Sequence, residues 1–326
     1  MLSAVFPYIC MADMLQAKQK ETPVKYLIPL AIALSTTTAY ADILNVVNVA
    51  PDTYAIVGPL DQRSPENLGN NATFGLVVTD DGAVLMDPGG SYKGAEMLHQ
   101  VIKRITDQPV KYVIDTGGQD HRWMGNGYWQ EQGAQVIASN DAEADHKDRA
   151  SMQLTGLSVL IGEDMLAGTE PAYADITFDT DYTLELGGVT LQLHHEGAAH
   201  TPGDSTVWLA GRSTLFTGDI VYVERILGIG PQSNTLEWVA SFEALAALNP
   251  EHIVPGHGNP VDLATATRDT YDYLINIRTK MADYIEDGGE IIDSVKIDQS
   301  AFSYLKNFEG LAGRNAQEVF TQMEWE

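Results

Sequence analysis

The chain has 326 residues, of which 44% are hydrophobic and 20% are charged, a composition typical of a globular protein with one large domain or two small ones. Its 45 acidic and 19 basic residues give a formal net charge of −26, which argues against nucleic acid and anionic membrane surfaces as partners. The single cysteine, Cys10, leaves no pair for a disulfide and no set of thiolates for a zinc site.

The first 41 residues are predicted to form a cleavable secretory signal. Three lysines precede the apolar stretch YLIPLAIAL, and the small-residue sequence AYA ends at Ala41. The apolar stretch is far shorter than the ~20 residues needed to span a bilayer. We therefore expect cleavage after Ala41, a periplasmic or secreted protein, and no stable membrane insertion afterwards. Residues 1–13 add nothing to such a signal, so Met14 is a candidate start.

The chain after the signal is predicted to begin with an antiparallel sheet. The runs ILNVVNV, TYAIV, TFGLVV and AVLMD are typical of strands, and Asp81-Gly82 indicates a hairpin between the last two. The segment KGAEMLHQVIKRI has its apolar residues on one helical face and precedes Pro109 and the strand VKYVI. A helix over 126–132, the strand QVIAS and a helical region over 141–166 are predicted to follow.

The second half is predicted to contain a strand meander and a helical end. Strands are expected near 182–186, 189–194, 205–210 and 213–218, before a helix over 235–247 and the strand HIV. After Pro260 the pattern is mostly helical, with an apolar face on the last helix. Strand–helix–strand passages on both sides of a meander predict an α/β sandwich of two sheets with helices outside. We expect one domain over 42–260 and a C-terminal helical extension over 261–326 packed on it.

Polar side chains are concentrated in four loops that each follow a strand-like run: DTGGQDHR, GAAHTPGD, FTGDIVYVER and VPGHGNP. Loops at strand ends can bring side chains from distant parts of a sequence to one site. These loops contain Asp120, His121, His200, Asp219 and His257, which are carboxylate and imidazole ligands suited to zinc and similar ions.

In this order the loops resemble the landmarks of the metallo-β-lactamase superfamily, together with DPG at 87–89, over about residues 45–260. The segments SPENLGNNATFGLVV, ITDQPVKYVIDT, GDIVYVER and RNAQEVFTQMEWE are similar to a secreted branch associated with sulfur oxidation and quinoprotein relay systems. The resemblance implies a four-layer αββα sandwich with a metal cleft at one edge. It also implies a hydrolase-like protein with a functional link to periplasmic quinoprotein or sulfur-oxidation systems.

The loop DTGGQDHRWMGN departs from the family pattern NTHxHxDHxxGN, in which H-x-H-x-D-H supplies metal ligands. Aligned without gaps, the ligand positions hold Gly117, Gln119, His121 and Arg122. With a one-residue shift, Asp120 and His121 become the Asp–His pair of the family. Both histidines of H-x-H are absent in either register, so the motif is degenerate.

The resemblance implies different fates for the two metal sites of the family. Of the ligands of the first site, only His200 is retained, and Gln119 is the residue that could assist it. In the shifted register the second keeps Asp120, His121, Asp219 and His257, with His200 as a substitute ligand. One metal ion is therefore expected, zinc first, with iron and manganese as alternatives.

A retained ion predicts metal-assisted hydrolysis of a small ester, thioester, lactam or related substrate. Asp120 would coordinate or orient the attacking water, and Gln119, Arg122 and Trp123 are candidate substrate contacts. The alternative is a non-catalytic or accessory binding protein of the cell envelope. An inward Arg122 would favour it, because its permanent charge would replace part of the charge of the metal.

Overall fold

The computed structural model describes residues 43–326, and the predicted signal lies outside this range. The first sheet has seven strands, each hydrogen-bonded to the next in chain order: β1 (Asn45–Ala50), β2 (Thr53–Val57), β3 (Thr73–Thr79), β4 (Gly82–Met86), β5 (Val110–Ile114), β6 (Gln135–Ser139) and β7 (Ile176–Phe178). Strands β1 to β4 are antiparallel, and β4 to β7 are parallel. The predicted hairpin joins β3 to β4, with Thr79 opposite Gly82.

The second sheet has five strands: β8 (Asp181–Leu186), β9 (Val189–His194), β10 (Thr206–Leu209), β11 (Thr214–Phe216) and β12 (His252–Val254). Strands β8 to β11 form the predicted antiparallel meander. Strand β12 lies parallel to β11, with Phe216 opposite Val254. The loops that follow β11 and β12 consequently leave the same edge of the sheet.

The helices are α1 (Tyr92–Ile102), α2 (Asn126–Glu131), α3 (Asn140–Ile161), α4 (Glu163–Leu166), α5 (Thr235–Ala247), α6 (Leu263–Ala266), α7 (Asp272–Glu286) and α8 (Phe308–Met323). Helix α1 begins where the side chain of Ser91 accepts a hydrogen bond from the backbone N–H of Gly94, which satisfies a free helical donor. None of the helices within 43–326 combines the length and apolar character needed to cross a membrane.

Three apolar clusters define the layers. Side chains of both sheets, among them Ile114 and Phe216, pack between the sheets. Helices α1 and α2 cover the outer face of the first sheet through residues such as Leu98 and Trp129. Helices α5, α7 and α8 cover the second sheet, where Val319 is fully buried. This helix–sheet–sheet–helix order confirms the predicted α/β, four-layer αββα sandwich with C-terminal helices.

Candidate functional site

Three of the predicted ligands, His121, Asp219 and His257, converge at one edge of the sandwich. One donor atom of each lies within 4.8 Å of the other two. The Nε2 of His121 is 3.1 Å from Oδ2 of Asp219, and the Nε2 of His257 is 3.2 Å from Oδ1. The three side chains follow β5, β11 and β12, and both imidazoles line a cleft of about 320 Å³. Strand ends of both sheets thus bring distant parts of the sequence together.

The protonation states of Asp219 and His257 suit a metal ion. Burial by itself would raise the pKa of Asp219, but the charges of Arg122 and His121 hold it well below its usual range. Burial, with the charge of Arg225, lowers the pKa of His257 well below its ordinary value. Metal ligands must be deprotonated, as this carboxylate and this imidazole are. Two imidazoles and one carboxylate also form a three-ligand set found at catalytic zinc sites, so the donor set fits zinc.

Asp120, predicted as a metal ligand or as the residue that orients water, lies outside the group of three converging donors. Its Oδ1 is 3.3 Å from Nδ1 of His121, whereas Asp219 contacts Nε2 of the same ring. The Oδ1 also accepts hydrogen bonds from Arg63 Nε at 2.8 Å and from the backbone N–H of His121 at 2.7 Å. The Nδ1 of His121 accepts from the Arg63 guanidinium at 2.8 Å, and Asp120 in turn holds that guanidinium. Asp120 is therefore a positioning residue for His121.

The geometry agrees with the ungapped register of the loop. His121, rather than Asp120, contacts Asp219, and Gln119 lies next to His200. The shifted register would require Asp120 in the same cluster. The short 3-10 turn over Asp120–Arg122 presents these side chains in different directions, which spacing alone does not reveal.

His200 lies near the cluster but does not join it. Its Nε2 is 3.3 Å from Oε1 of Gln119, and its Nδ1 is 2.9 Å from the carbonyl oxygen of Gly228. Burial lowers the pKa of His200 to about 4, so the ring is neutral near pH 7. Within the described range, the one group of at least three converging ligands is His121, Asp219 and His257. The predicted role of His200 as a ligand is thus not supported by its position.

Carboxylates occupy the space beside the two glycines of the loop. A Cβ at Gly117 would overlap Oδ1 of Asp204, and a Cβ at Gly118 would overlap Oδ2 of Asp145. The backbone N–H of Gly118 donates to Thr201 Oγ1 at 2.9 Å, so the loop packs directly on its neighbours. No side chain fits at these two positions unless the surrounding carboxylates move.

Arg122 is fully buried, so it cannot make the predicted contact with a substrate. Its side chain points into the protein, the orientation that the alternative of a binding protein requires. It donates to Oδ2 of Asp87 at 2.6 Å, to Oδ1 of Asp219 at 2.7 Å and to the carbonyl oxygen of Gly256 at 2.8 Å. Burial alone would lower the pKa of Arg122, but the carboxylates of Asp219 and Asp87 raise it above its usual value. The guanidinium therefore fixes the carboxylate of Asp219, one of the three converging donors.

Trp123 is also fully buried, so it does not form the predicted contact with substrate. Its indole stacks on the ring of His146 with the centroids 4.5 Å apart, and its Nε1 donates to Oε1 of Gln153 at 2.8 Å. Trp123 packs the loop against α3. Gln119 is the predicted substrate contact that does line the cleft.

Four arginines line the cleft, and the sequence analysis did not identify them as a group. Arg63, Arg149, Arg225 and Arg314 border it, whereas Asp120 is its one acidic lining residue within the described part of the chain. The signal that could have drawn attention to them is the scarcity of basic residues, 19 against 45 acidic ones. Their convergence, however, depends on tertiary structure, since they come from four separate segments.

Comparison with known families gives one match over more than half of the chain. Residues 69–257 match the family described as the metallo-beta-lactamase superfamily. The matched region includes all three converging ligands. It ends at His257, so Arg225 lies inside it, whereas Arg63 and Arg314 lie outside.

Individual proteins give a consistent picture. The chain is 23% identical over 215 residues to a metallo-beta-lactamase type 2 of Elizabethkingia meningoseptica, covering 64% of this chain and 77% of that protein. A solved metallo-beta-lactamase from Pontibacter korlensis superposes with a TM-score of 0.59 at 23% identity, covering 72% of this chain and 99% of that one. The DIM-1 metallo-beta-lactamase gives 0.54 at 18% identity, covering 70% and 96%. These likenesses establish a shared fold.

Proposed function

Since the chain belongs to the metallo-beta-lactamase superfamily, we propose that it is a hydrolase that uses one metal ion, preferably zinc, held by His121, Asp219 and His257. The observation that carries the proposal is the convergence of these three donors beside a cleft. Three protein ligands leave a fourth coordination position for water or substrate, as in catalytic rather than structural zinc sites.

The chemistry supplied at such a site is activation of water, whose pKa falls toward about 7, and polarisation of a carbonyl oxygen. The residues of this chain prepare the site for it. Arg122 donates to one oxygen of Asp219, and Asp120 accepts a hydrogen bond from the backbone N–H of His121, so both proposed ligands are held in position. Gln119 lines the cleft beside His200 and can donate to a substrate. We propose small esters, thioesters, lactams or related compounds as substrates.

A second candidate is a metal-free binding protein of the cell envelope, favoured by the hydrogen bonds around Asp219. Its two oxygens already contact Arg122, His121 and His257 at 2.7–3.2 Å. The Arg63 guanidinium is also 2.8 Å from Nδ1 of His121, so the tautomer with the proton on Nε2 would accept from Arg63 and donate to Asp219 without an ion. Metal content and turnover separate this candidate from the hydrolase.

We expect the protein purified without chelator and supplied with zinc, iron or manganese to bind about one ion per chain. The variant His257→Ala should lose the ion and all metal-dependent turnover, because two ligands remain. Elemental analysis and a hydrolysis screen with p-nitrophenyl acetate, an acyl thioester and a chromogenic β-lactam measure both effects. His194→Ala is the matched control, since His194 is paired with an exposed Asp181 outside the cluster.

The graded effect of other variants tests the assignment of the ligands. Asp120→Asn should weaken metal affinity by roughly 10–100-fold without abolishing binding, as expected for a residue that orients a ligand. His200→Ala should retain one ion. Absence of all three metals from the wild type would refute the hydrolase and leave the binding protein as the function.

We also propose that the protein is exported and acts in the periplasm or outside the cell, with a functional link to quinoprotein or sulfur-oxidation systems. The lysine-rich start, the short apolar run and the AYA sequence support export. Expression in a Gram-negative host should yield a periplasmic protein whose N-terminal sequence begins at Asp42. Recovery of the uncleaved chain from the cytoplasm would contradict this prediction.

A further inference from the structure

One wall of the cleft comes from α8, beyond the region that matches the family. Leu311 and Arg314 of this helix line the cleft. The next residue, Asn315, is buried and fixes the helix to the loop that follows β11. Its Nδ2 donates to the carbonyl oxygen of Leu227 at 2.8 Å, and its Oδ1 accepts from the backbone N–H of Ile229 at 2.9 Å. The C-terminal segment is therefore an integral part of the cleft.

The same segment holds Arg225 in place. The backbone N–H of Ile226 donates to the carbonyl oxygen of Lys306 at 3.0 Å, and Lys306 N–H donates to Glu224 at 2.9 Å. Glu224 has a φ of 63°, a left-handed conformation that is uncommon for a non-glycine residue and turns the chain immediately before Arg225. Two backbone hydrogen bonds and a constrained turn thus fix the backbone on both sides of Arg225.

The charge of Arg225 has no carboxylate partner among residues 43–326. Its guanidinium lies 5.8 Å from the centre of the Tyr222 ring, and its NH1 is 3.4 Å from Nδ1 of His257. Its Nε is buried without a hydrogen-bond partner in the described structure. Because this atom is enclosed by protein, the part of Arg225 that lines the cleft is the remainder of its side chain.

Two of the four arginines that line the cleft form ion pairs with carboxylates. Arg63 is paired with Asp120, and Arg149 with Asp145. Arg225 and Arg314 form no ion pair within the part of the chain that the structure describes. Two uncompensated cations therefore face one cleft in a protein of net charge −26. A local positive site on an acidic protein attracts anions that the rest of the surface repels.

We propose that the substrate carries an oxyanion group, a carboxylate or a larger oxyanion, bound between Arg225 and Arg314, with an apolar body against Leu160, Ile229 and Leu311. This substrate class rests on the proposed function, in which the cleft is the reaction site. Guanidinium groups suit planar oxyanions because their N–H donors match two acceptor oxygens. Since Arg225 reaches His257, the anionic group lies next to the metal-ligating cluster, and α8 selects substrates through a residue outside the family domain.

The probe for this subsite is 4-phenylbutyrate, with the uncharged 4-phenylbutyramide as its isostere, measured by titration calorimetry. Both are tested on zinc-loaded and on chelator-treated full-length protein, so binding to the arginines is distinguished from coordination to a metal. We expect the carboxylate to bind both forms and the amide to bind at least about tenfold more weakly. Binding to the chelated form supports the subsite even if the protein proves not to be a hydrolase.

Variants assign the effect to the two arginines. Arg225→Gln and Arg314→Gln should each weaken 4-phenylbutyrate binding by about tenfold or more, and Arg225→Lys should restore much of the loss because it keeps the charge. Arg104→Gln, which removes the same charge from an exposed position after α1, should have no effect. Thermal melting confirms that each variant is folded. No binding by the wild type, equal binding of the amide, or full binding by folded Arg314→Gln would overturn the proposal.

Discussion

Replacement of Arg122 by methionine is expected to lower the free energy of unfolding by about 3–5 kcal/mol, the range for removing one partner of a buried ion pair. Arg122 has no exposed surface and contacts Asp87 and Asp219, which are themselves buried. Methionine fills a similar volume but leaves both carboxylates without their cation. Denaturation in guanidinium chloride measures the change, and Arg104→Met, an exposed arginine, should change stability by no more than about 0.5 kcal/mol.

A second substitution separates loss of charge compensation from loss of packing. Asp87 also accepts hydrogen bonds from the backbone N–H and Oγ1 of Thr116, and asparagine can accept through its own carbonyl oxygen. We expect Arg122→Met combined with Asp87→Asn to be more stable than Arg122→Met alone, a coupling of the kind a double-mutant cycle detects. Equal destabilisation in the single and double variants would assign the effect of Arg122 to packing.

The pH dependence of the same variant has a defined sign. In the wild type, burial raises the pKa of Asp87 despite the opposing charge of Arg122. Without Arg122 the pKa of Asp87 must rise further, and the pKa of Asp219, which is held well below its usual range in the wild type, must rise as well. A rise in the folded-state pKa of a carboxyl group lowers the stability of the protein as pH increases above the pKa of that group in the unfolded chain. The deficit of Arg122→Met should therefore be larger at about pH 8 than at about pH 5. A deficit independent of pH would show that neither carboxylate depends on the arginine.

Much of the fold was accessible from sequence because its elements have strong local signals. Alternation and the Asp-Gly turn indicated β3 and β4, and the apolar face of KGAEMLHQVIKRI indicated α1, which begins at Tyr92 and ends at Ile102. Strand β7, only three residues long, was missed because so short a run has no detectable period. The order of the strands within each sheet came only from the structure.

The sequence identified most of the residues of the candidate site but not how their side chains are arranged. His121, Asp219 and His257 were named because each follows a strand in a loop typical of metal ligands, and these loops meet at one edge. Asp120 was assigned to the cluster because an Asp–His pair matches the family pattern. One residue of register decides which side chain faces Asp219, and a tight 3-10 turn sets this through tertiary contacts.

The inward Arg122 and the packing of Trp123 depend on partners far away in sequence. Asp87 and Asp219 lie 35 and 97 residues from Arg122, and no local pattern indicates that both meet its guanidinium. Trp123 stacks on His146, which belongs to helix α3. Residues that contact one another across layers of the sandwich were thus the least predictable.

The variant Gly117→His is expected to be destabilised by at least about 1–3 kcal/mol and to bind no second metal ion, although it restores a histidine of the family pattern. Its Cβ would overlap Oδ1 of Asp204 and lie 3.3 Å from Oγ1 of Thr201. Asp204 cannot easily turn away, since its Oδ2 accepts from the backbone N–H of Thr201 at 2.8 Å. Chemical denaturation and elemental analysis test the two halves of this prediction.

Three variants show whether the lack of space at Gly117, rather than any change in this region, is responsible. Gly127→Ala places a Cβ in α2 at 3.6 Å from Cβ of Ala172, an ordinary contact, and should be neutral or stabilising by up to about 1 kcal/mol. Gly117→Ala, with the same added methyl group, should be destabilising. Gln119→His should be tolerated, because Gln119 lines the cleft beside His200.

The combined variant Gly117→His with Gln119→His gives the strongest test, since with His200 it would supply three imidazoles for a first metal site. We expect it to keep one ion per chain, because Asp204 and Thr201 fill the position that the first imidazole needs. A stable protein with two ions would mean that these side chains move at little cost. If the variant binds one ion and is less stable, the packing of Asp204 against Gly117 excludes a second metal ion. Adding the two histidines would then not be enough to restore the first metal site of the family.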